Sequence, residues 1–270
     1  MKRLLGLISL ILVLVSCIDN IVVSTLYQYS RANSDATVPE EAPAPMQKID
    51  IKDTAGNRTV GWYYHYSDTA PVVLYFHGNA SNLQSSYANG LGEKLMNQKV
   101  NFAIFDYPKY GLSTGELNEK SVLASGQAVL DFLKAKYPNA PILLWGRSMG
   151  CAIATLTAKN NHARVSKLIL TSPWDSFWKV VQSKGNLSES ASKKAVIGNE
   201  WDTENHAKSI TMPVLIHHGT KDEVVPWEMG KNLSGSFAGN DVTFVSVEGA
   251  DHDNLLGNDE WEDLSRFIRY

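Results

Sequence analysis

Three residues of this sequence have the types and the chain order of a nucleophile, an acid and a base. Ser148 lies in the pentapeptide G-R-S-M-G at residues 146–150, Asp222 follows later in the chain, and His252 comes last. A serine hydroxyl becomes a good nucleophile when a histidine takes its proton, and an aspartate can hold that histidine in the correct tautomer. Together the three residues predict attack on an acyl carbon through an acyl-enzyme intermediate.

The pentapeptide has the G-x-S-x-G pattern of a serine on a sharp turn between a strand and a helix. Residues 141–145 predict a short buried strand, and residues 149–160 predict a helix. Small residues at both flanking positions, Gly146 and Gly150, let the backbone pass closely while Ser148 projects outward. Taken alone, the pattern fits a helix-capping serine equally well. The later acid and histidine favour catalysis.

The rest of the chain must bring Asp222 and His252 to this serine. Continuous apolar strands alternate with helix-length segments, which is typical of a parallel sheet covered by helices on both faces. Strands are expected at residues 72–76, 100–105, 141–145, 167–170, 213–218 and 242–247, and helices at 83–98, 119–137, 149–160, 227–233 and 259–270. Asp222 and His252 each follow a strand, at the edge where open parallel sheets bind ligands.

An antiparallel hairpin of residues 47–53 and 58–66 precedes these strands, so the sequence predicts a mostly parallel, doubly wound α/β sheet. Residues 172–209 interrupt the alternation and predict a small cap of short helices. Aromatic side chains that either pack on the sheet or contact substrate are Trp174, Phe177, Trp178, Trp201 and Trp227. Ordinary packing is at least as well supported for them as substrate contact.

The first residues predict export and lipid attachment. A basic start is followed by a twelve-residue apolar run and by L-V-S-C at residues 14–17. This resembles a bacterial lipoprotein signal peptide of residues 1–16, which implies a mature chain that begins at lipidated Cys17. The alternative is an uncleaved anchor, which would bury Asp19 at a cost of about 2–3 kcal/mol. Either interpretation places the domain on the periplasmic or extracellular side of a bacterial cell envelope and leaves the choice of membrane open.

Residues 17–46 are polar and contain several prolines, so we expect them to form a flexible tether for a single folded domain of residues 47–270. The net charge of −3 comes without a dense basic block, which argues against nucleic acid as a partner. Two cysteines, Cys17 and Cys151, are too few for a disulfide framework or a four-cysteine metal site. The neighbours His217 and His218 point to opposite faces of a strand, so a shared metal is not expected.

Five motifs of the predicted domain resemble the α/β-hydrolase family. Beside the serine turn, His77-Gly78-Asn79 is similar to the family's oxyanion-hole turn, and the loops at residues 219–226 and 249–252 are similar to its acid and histidine loops. Residues 106–115 resemble a loop of the branch that includes serine-aminopeptidase-like hydrolases and membrane-associated depalmitoylases. Lys109 stands where that branch usually has glycine. Asp251, next to His252, differs from the usual sequence of the family's histidine loop.

The resemblance assigns supporting roles to several residues. The backbone N–H groups of Met149 and Asn79 are the candidate oxyanion donors, and one such donor lowers the barrier by about 3–4 kcal/mol. It implies that His77 and Gly78 brace the turn that carries Asn79. Glu223 is a possible substitute acid.

Two further features have simple structural interpretations. Asp251 and Asp253 either raise the pKa of the base or face water, and water is favoured. Cys151 is expected to be a small buried filler.

The predicted activity is cleavage of carboxylic esters or thioesters, without metal or organic cofactor, on a small-molecule or lipid-like acyl substrate. We expect a monomer attached to a membrane by its N-terminal lipid. The alternatives are an amidase or peptidase, an acyltransferase that uses the same residues, and a non-catalytic surface-binding lipoprotein.

Overall fold

A computed structural model describes residues 26–239 and 241–270 of the protein. The predicted signal peptide and Cys17 lie outside the described residues. Eight strands form one sheet: β1 (Gln47–Lys52), β2 (Arg58–Tyr64), β3 (Val72–Phe76), β4 (Asn101–Phe105), β5 (Ile142–Arg147), β6 (Lys167–Thr171), β7 (Val214–Gly219) and β8 (Val242–Val247). Their order across the sheet is β1-β2-β4-β3-β5-β6-β7-β8.

The sheet is mostly parallel, as predicted. The β1–β2 hairpin and the β2–β4 pair are antiparallel, and the five remaining pairs are parallel. β3 is buried at every position because helices cover both faces of the sheet. Its alternate residues enter different cores: Val72 and Leu74 belong to one, and Val73 and Tyr75 belong to the other.

The helices and helical segments, in chain order, are α1 (Tyr29–Asp35), α2 (Leu83–Ser86), a π-helical stretch (Tyr87–Leu91), α3 (Gly92–Asn97), α4 (Glu119–Lys136), α5 (Met149–Asn160), α6 (Phe177–Gly185), α7 (Glu189–Ala195), α8 (Thr203–Ala207), α9 (Trp227–Ser234) and α10 (Asn258–Arg269). Residues of α4 and α5 fill one core, and residues of α3 and α10 fill the other. Within the two described ranges, no helix has the length and apolar character needed to cross a bilayer.

The single helix predicted at residues 83–98 is divided in three. Gly90 has φ of 86°, outside the helical region, and the chain changes course there. Glycine adopts this conformation at little steric cost, whereas other residues rarely do. The periodic apolar residues on either side fit one continuous helix, which is why the pattern did not reveal the kink.

The N-terminal boundary differs from the predicted flexible tether. Leu26 and Tyr27 are 1% exposed and belong to the larger core, and Val38 is buried in the other. Asn33 of α1 donates from its side-chain amide to the carbonyl of Lys109 at 2.9 Å. Residues 26–46 therefore pack on the domain. Their proline-rich composition suggested a tether, but a few long-range apolar contacts hold the segment in place.

The predicted cap region, residues 172–209, contains α6, α7 and α8 between β6 and β7. Trp174, Phe177 and Trp201 are buried in the larger core, and Trp178 packs against it. The Trp201 indole N–H donates to the Tyr27 hydroxyl at 3.0 Å. These contacts are those of ordinary packing, and they join the cap to the N-terminal segment.

Candidate active site

Ser148 stands on a strained turn between β5 and α5. Its φ is 53° and its ψ is −122°, in a region that L-residues rarely adopt. Its N–H donates to the Thr171 carbonyl of β6 at 2.8 Å, which holds the turn against the sheet. A Cβ at Gly150 would lie 2.0 Å from the Phe76 carbonyl oxygen, and a Cβ at Gly146 would lie 2.4 Å from the Gly150 oxygen. Both flanking glycines are therefore sterically required.

Asp222 and His252 meet, although they come from different loops. His252 Nδ1 lies 2.7 Å from Asp222 Oδ2, and Asp222 Oδ1 accepts the N–H groups of Val224 at 2.9 Å and Val225 at 2.8 Å. Burial raises the pKa of Asp222, but hydrogen bonds from His218 and His252 outweigh it and hold that pKa well below its usual range. An ionised Asp222 requires the proton on Nδ1 of a neutral His252, which leaves Nε2 free to accept another.

Ser148 directly follows β5, and the loop that carries His252 is bonded to the end of that strand. Among the described residues no hydrogen bond joins the Ser148 hydroxyl to His252. The serine turn and the His252 loop are instead connected by Arg147, the residue before Ser148. Arg147 Nη2 donates to the His252 carbonyl at 2.9 Å and to Asp253 Oδ1 at 2.8 Å. Hydrogen bonds between a nucleophile and its base commonly tighten only when substrate binds.

Met149 and Asn79, the expected oxyanion donors, lie on two turns next to Ser148. Met149 is the first residue of α5, so its N–H has no acceptor within the helix. Asn79 follows β3, and its carbonyl accepts the Tyr110 hydroxyl at 2.8 Å. Within the described part of the chain neither N–H donates to another protein group, so both are free to receive a ligand oxygen.

His77 is fully buried below the Asn79 turn. Its Nδ1 lies 2.8 Å from the Gly78 carbonyl, and the Tyr107 hydroxyl donates to the His77 carbonyl at 2.9 Å. Burial lowers the pKa of His77 to about 4, so the ring is neutral at physiological pH. These contacts suit a bracing role, as the resemblance implies.

The loop of residues 106–115 supports the same turn. Asp106 Oδ1 accepts the Leu83 N–H at 2.7 Å, and burial raises the pKa of Asp106 to about 7. Lys109, which replaces the usual glycine, has φ of 69°. This is the conformation that glycine adopts most readily. The bond from Asn33 to the Lys109 carbonyl helps to hold it.

The remaining polar candidates make contacts that stabilise the fold. The Cys151 thiol is buried and donates to the Gly146 carbonyl at 3.1 Å, and burial raises its pKa, as expected for a filler. Asp251 accepts the N–H groups of Asp253 at 2.8 Å and Asn254 at 3.0 Å, which closes its own turn. The Glu223 side chain does not approach His252 within hydrogen-bonding distance; its carbonyl accepts Lys184.

Sequence reasoning missed two residues that contact Asp222 or His252, namely His218 and Arg147. His218 Nε2 lies 2.9 Å from the Val225 carbonyl and 3.4 Å from Asp222 Oδ2. His217 faces away, toward Asp263 at 4.0 Å, so the two histidines do point to opposite faces. The four-residue spacing between His218 and Asp222 was the available signal. Arg147 offered none, because its partners lie more than 100 residues away.

A cavity of about 490 Å³ opens beside the acid loop. Asp222 lines it together with Lys221 and Trp227. Trp227 is thus the one of the five aromatic candidates that lines this cavity. Across residues 26–239 and 241–270, no group of three or more histidine, cysteine, aspartate or glutamate residues is arranged to hold a metal ion.

Comparison with known proteins identifies a matching family and several proteins of similar sequence. Residues 67–197 match the Hydrolase_4 family, described as serine aminopeptidase, S33. Human alpha/beta hydrolase domain-containing protein 17B is 30% identical over 249 residues, which cover 90% of this chain and 78% of that protein. Lysophosphatidylserine lipase ABHD12 of Xenopus tropicalis is 28% identical over 199 residues, 67% of this chain and 50% of the lipase. The chain thus spans about half the length of that lipase.

Among solved structures, an esterase of Pyrococcus furiosus superposes with a TM-score of 0.71 at 18% identity, covering 87% of this chain and 95% of the esterase. At that identity the likeness concerns the fold. The identity and coverage shared with the human protein also indicate common ancestry. The chain belongs to the α/β-hydrolase family.

Proposed function

We propose that this protein is a serine hydrolase that cleaves carboxylic esters or thioesters through Ser148, His252 and Asp222. The observation that carries the proposal is the 2.7 Å contact between His252 Nδ1 and Asp222 Oδ2, at the sheet edge where the strained Ser148 turn lies. This contact fixes the imidazole tautomer and leaves Nε2 as the proton acceptor.

The reaction follows from these groups. Ser148 Oγ attacks the acyl carbon as its proton passes to His252 Nε2, and Asp222 stabilises the imidazolium that forms. The Met149 and Asn79 N–H groups stabilise the tetrahedral oxyanion. The intermediate collapses to an acyl-enzyme, and the leaving group takes the proton from His252. Water, deprotonated in turn by His252, releases the acid and restores Ser148.

Names of relatives support an ester of a lipid-like acyl chain as the substrate class. One is described as a lysophosphatidylserine lipase, and a fold neighbour is described as an esterase. The cap consists of three short helices, so we infer a fairly open site that admits acyl chains. The enzyme acts as a monomer and without a cofactor in this proposal.

The membrane placement is a separate proposal that rests on the L-V-S-C sequence at residues 14–17. Lipidation at Cys17 would hold the domain at a bacterial envelope membrane, close to lipid substrates. Metabolic labelling with an alkyne fatty acid tests it. Labelling of the wild-type chain that is lost in Cys17→Ser supports lipidation at that residue, and equal labelling of both chains contradicts it.

A peptidase is the second candidate, because the matching family is described as a serine aminopeptidase. The same triad cleaves amides when the leaving amine is positioned for protonation by His252. Parallel assays with p-nitrophenyl esters and with aminoacyl p-nitroanilides separate the two. A higher kcat/KM on the anilides would favour the peptidase, and transfer products formed with glycerol would favour an acyltransferase.

The first test is labelling of the purified full chain, in detergent, with a fluorophosphonate. We expect a covalent adduct on Ser148, identified by peptide mass mapping, which disappears in Ser148→Ala and falls strongly in His252→Ala. A folded wild-type chain that takes no label would argue against an activated serine and favour a non-catalytic, surface-binding protein.

A further inference from the structure

The guanidinium of Arg147 connects the nucleophile turn to the loop that carries the base. Arg147 is the last residue of β5 and directly precedes Ser148. Its Nη2 donates to the backbone carbonyl of His252 at 2.9 Å and to the carboxylate of Asp253 at 2.8 Å. We call this set of two bonds the Arg147 clamp.

The two ends of the clamp differ in how firmly the fold holds them. β5 is a central strand that pairs with β3 and β6, and the Thr171 carbonyl fixes the Ser148 N–H. The base loop, residues 248–257, lies between β8 and α10 and contains no helix or strand. His252 is attached through its ring to Asp222 and through its carbonyl to Arg147.

A histidine held only through its ring can tilt about the bond to Asp222, and the tilt moves Nε2 relative to Ser148. The clamp restrains the backbone of His252 and so limits that movement. Because a displacement of about 1 Å in a reacting group can reduce a rate about 100-fold, a small shift of the loop is enough to matter.

Charge supports a positioning role for Arg147 over substrate binding. The Arg147 side chain is 24% exposed, and its Nη2 is already engaged by the Asp253 carboxylate, which is itself 88% exposed. The Asp253 carboxylate thus already neutralises the positive charge of Arg147, which is not left free for an anionic substrate. Both bonds come from the one nitrogen Nη2, so a lysine ammonium could replace them only by placing its own nitrogen at the same point.

We infer that Arg147 is a positioning residue, which holds His252 in line with Ser148 by clamping the base loop to the end of β5. The inference rests on the proposed function, because it assigns Arg147 a role in the same reaction. It predicts that the variable position of the G-x-S-x-G pattern controls the geometry of the base in this chain.

The test compares Arg147→Met, Arg147→Lys and Asp253→Asn with the wild-type full chain. The matched control is Arg164→Met, since Arg164 forms an ion pair with Asp131 at 2.5 Å and is 32% exposed. Arg164 lies beyond the far end of α5, which is 12 residues long and so extends about 18 Å from Ser148. Each variant is measured for Tm, for kcat and KM on p-nitrophenyl butyrate, and for the rate of fluorophosphonate labelling.

We expect Arg147→Met to lower kcat and the labelling rate about 10- to 100-fold while KM stays within about twofold. Arg147→Lys should recover part of the loss. Asp253→Asn should cost less than Arg147→Met, because the bond to the His252 carbonyl remains. Arg164→Met should keep wild-type rates.

Equal labelling rates for wild type and Arg147→Met would overturn the inference and leave the proposed function standing. A wild-type chain that takes no label would overturn both. If Arg147→Met does not fold, Arg147→Lys and Asp253→Asn decide. Wild-type kcat in both would contradict the clamp, and reduced kcat at unchanged Tm would support it.

Discussion

The Asp222 carboxylate accepts a 2.7 Å hydrogen bond from His252, which lies 30 residues later in the chain. The same carboxylate also receives two backbone N–H groups, from Val224 and Val225. One oxygen is thus held by its own loop and the other is directed at His252. The arrangement keeps Asp222 ionised and the imidazole in one tautomer.

Asp222→Asn should leave the fold intact and remove most of the activity. The asparagine oxygen can still accept the two backbone N–H groups, but its amide would favour the wrong tautomer of His252. We expect kcat on p-nitrophenyl butyrate to fall about 10³- to 10⁴-fold, with little change in Tm. Glu223→Gln is the control and should keep wild-type kcat. A larger loss in Glu223→Gln would make Glu223 the acid.

Removal of the N-terminal segment should destabilise the domain. A chain that begins at Gln47 lacks the buried side chains of Leu26, Tyr27 and Val38. Their loss costs on the order of 5 kcal/mol, comparable with the whole stability of a typical domain. Urea unfolding should show a much lower midpoint than for a chain that begins at Ser24. Equal midpoints would mean that the segment contributes no stability.

Stability should depend on pH through Asp106. Burial raises its pKa from 3.8 to about 7, so the folded protein keeps a proton that the unfolded chain releases. The stability from this neutral carboxyl is complete below pH 3.8 and is lost as pH rises through about 7. His77 acts in the opposite sense, because burial lowers its pKa from 6.5 to about 4 and its contribution is lost as pH falls between those values.

Asp106→Asn isolates the first effect, because asparagine keeps an acceptor for the Leu83 N–H and cannot ionise. The stability of the variant relative to wild type should be greater at pH 8 than at pH 5, by about 1–3 kcal/mol. Thermal unfolding at both pH values measures this difference. Asp131→Asn, an exposed carboxylate on α4, serves as control and should show a smaller change. An unchanged difference for Asp106→Asn would contradict the raised pKa.

Gly150→Ala should disrupt the nucleophile turn. The added methyl would lie 2.0 Å from the Phe76 carbonyl oxygen, so β3 and α5 must separate. We expect a loss of at least about 1–3 kcal/mol and little or no fluorophosphonate labelling of Ser148. Gly235→Ala is the matched control, since its φ is −79° and the nearest atom to the added methyl would lie 3.6 Å away. Normal labelling in Gly150→Ala would show that the turn can adapt.

The sequence by itself determined the sheet and the candidate chemistry. Each strand from β3 to β8 could be predicted because its apolar run is local, and Ser148, Asp222 and His252 could be chosen because each follows such a run. Residue type and chain order carry that information. The need for Gly146 also follows from a turn within a few residues, whereas the need for Gly150 comes from the Phe76 carbonyl of β3.

Only the tertiary structure decided which distant groups meet. Arg147 reaches His252, His218 approaches Asp222 from beneath its loop, and Tyr27 packs with Trp201 of the cap. The proline-rich composition suggested a flexible tether before β1, but it could not show that Leu26 is buried or that residues 29–35 form a helix. Such contacts depend on partners far away in the chain. The physical reason is that burial and hydrogen bonding each need two groups in contact, and a single stretch of sequence contains only one of them.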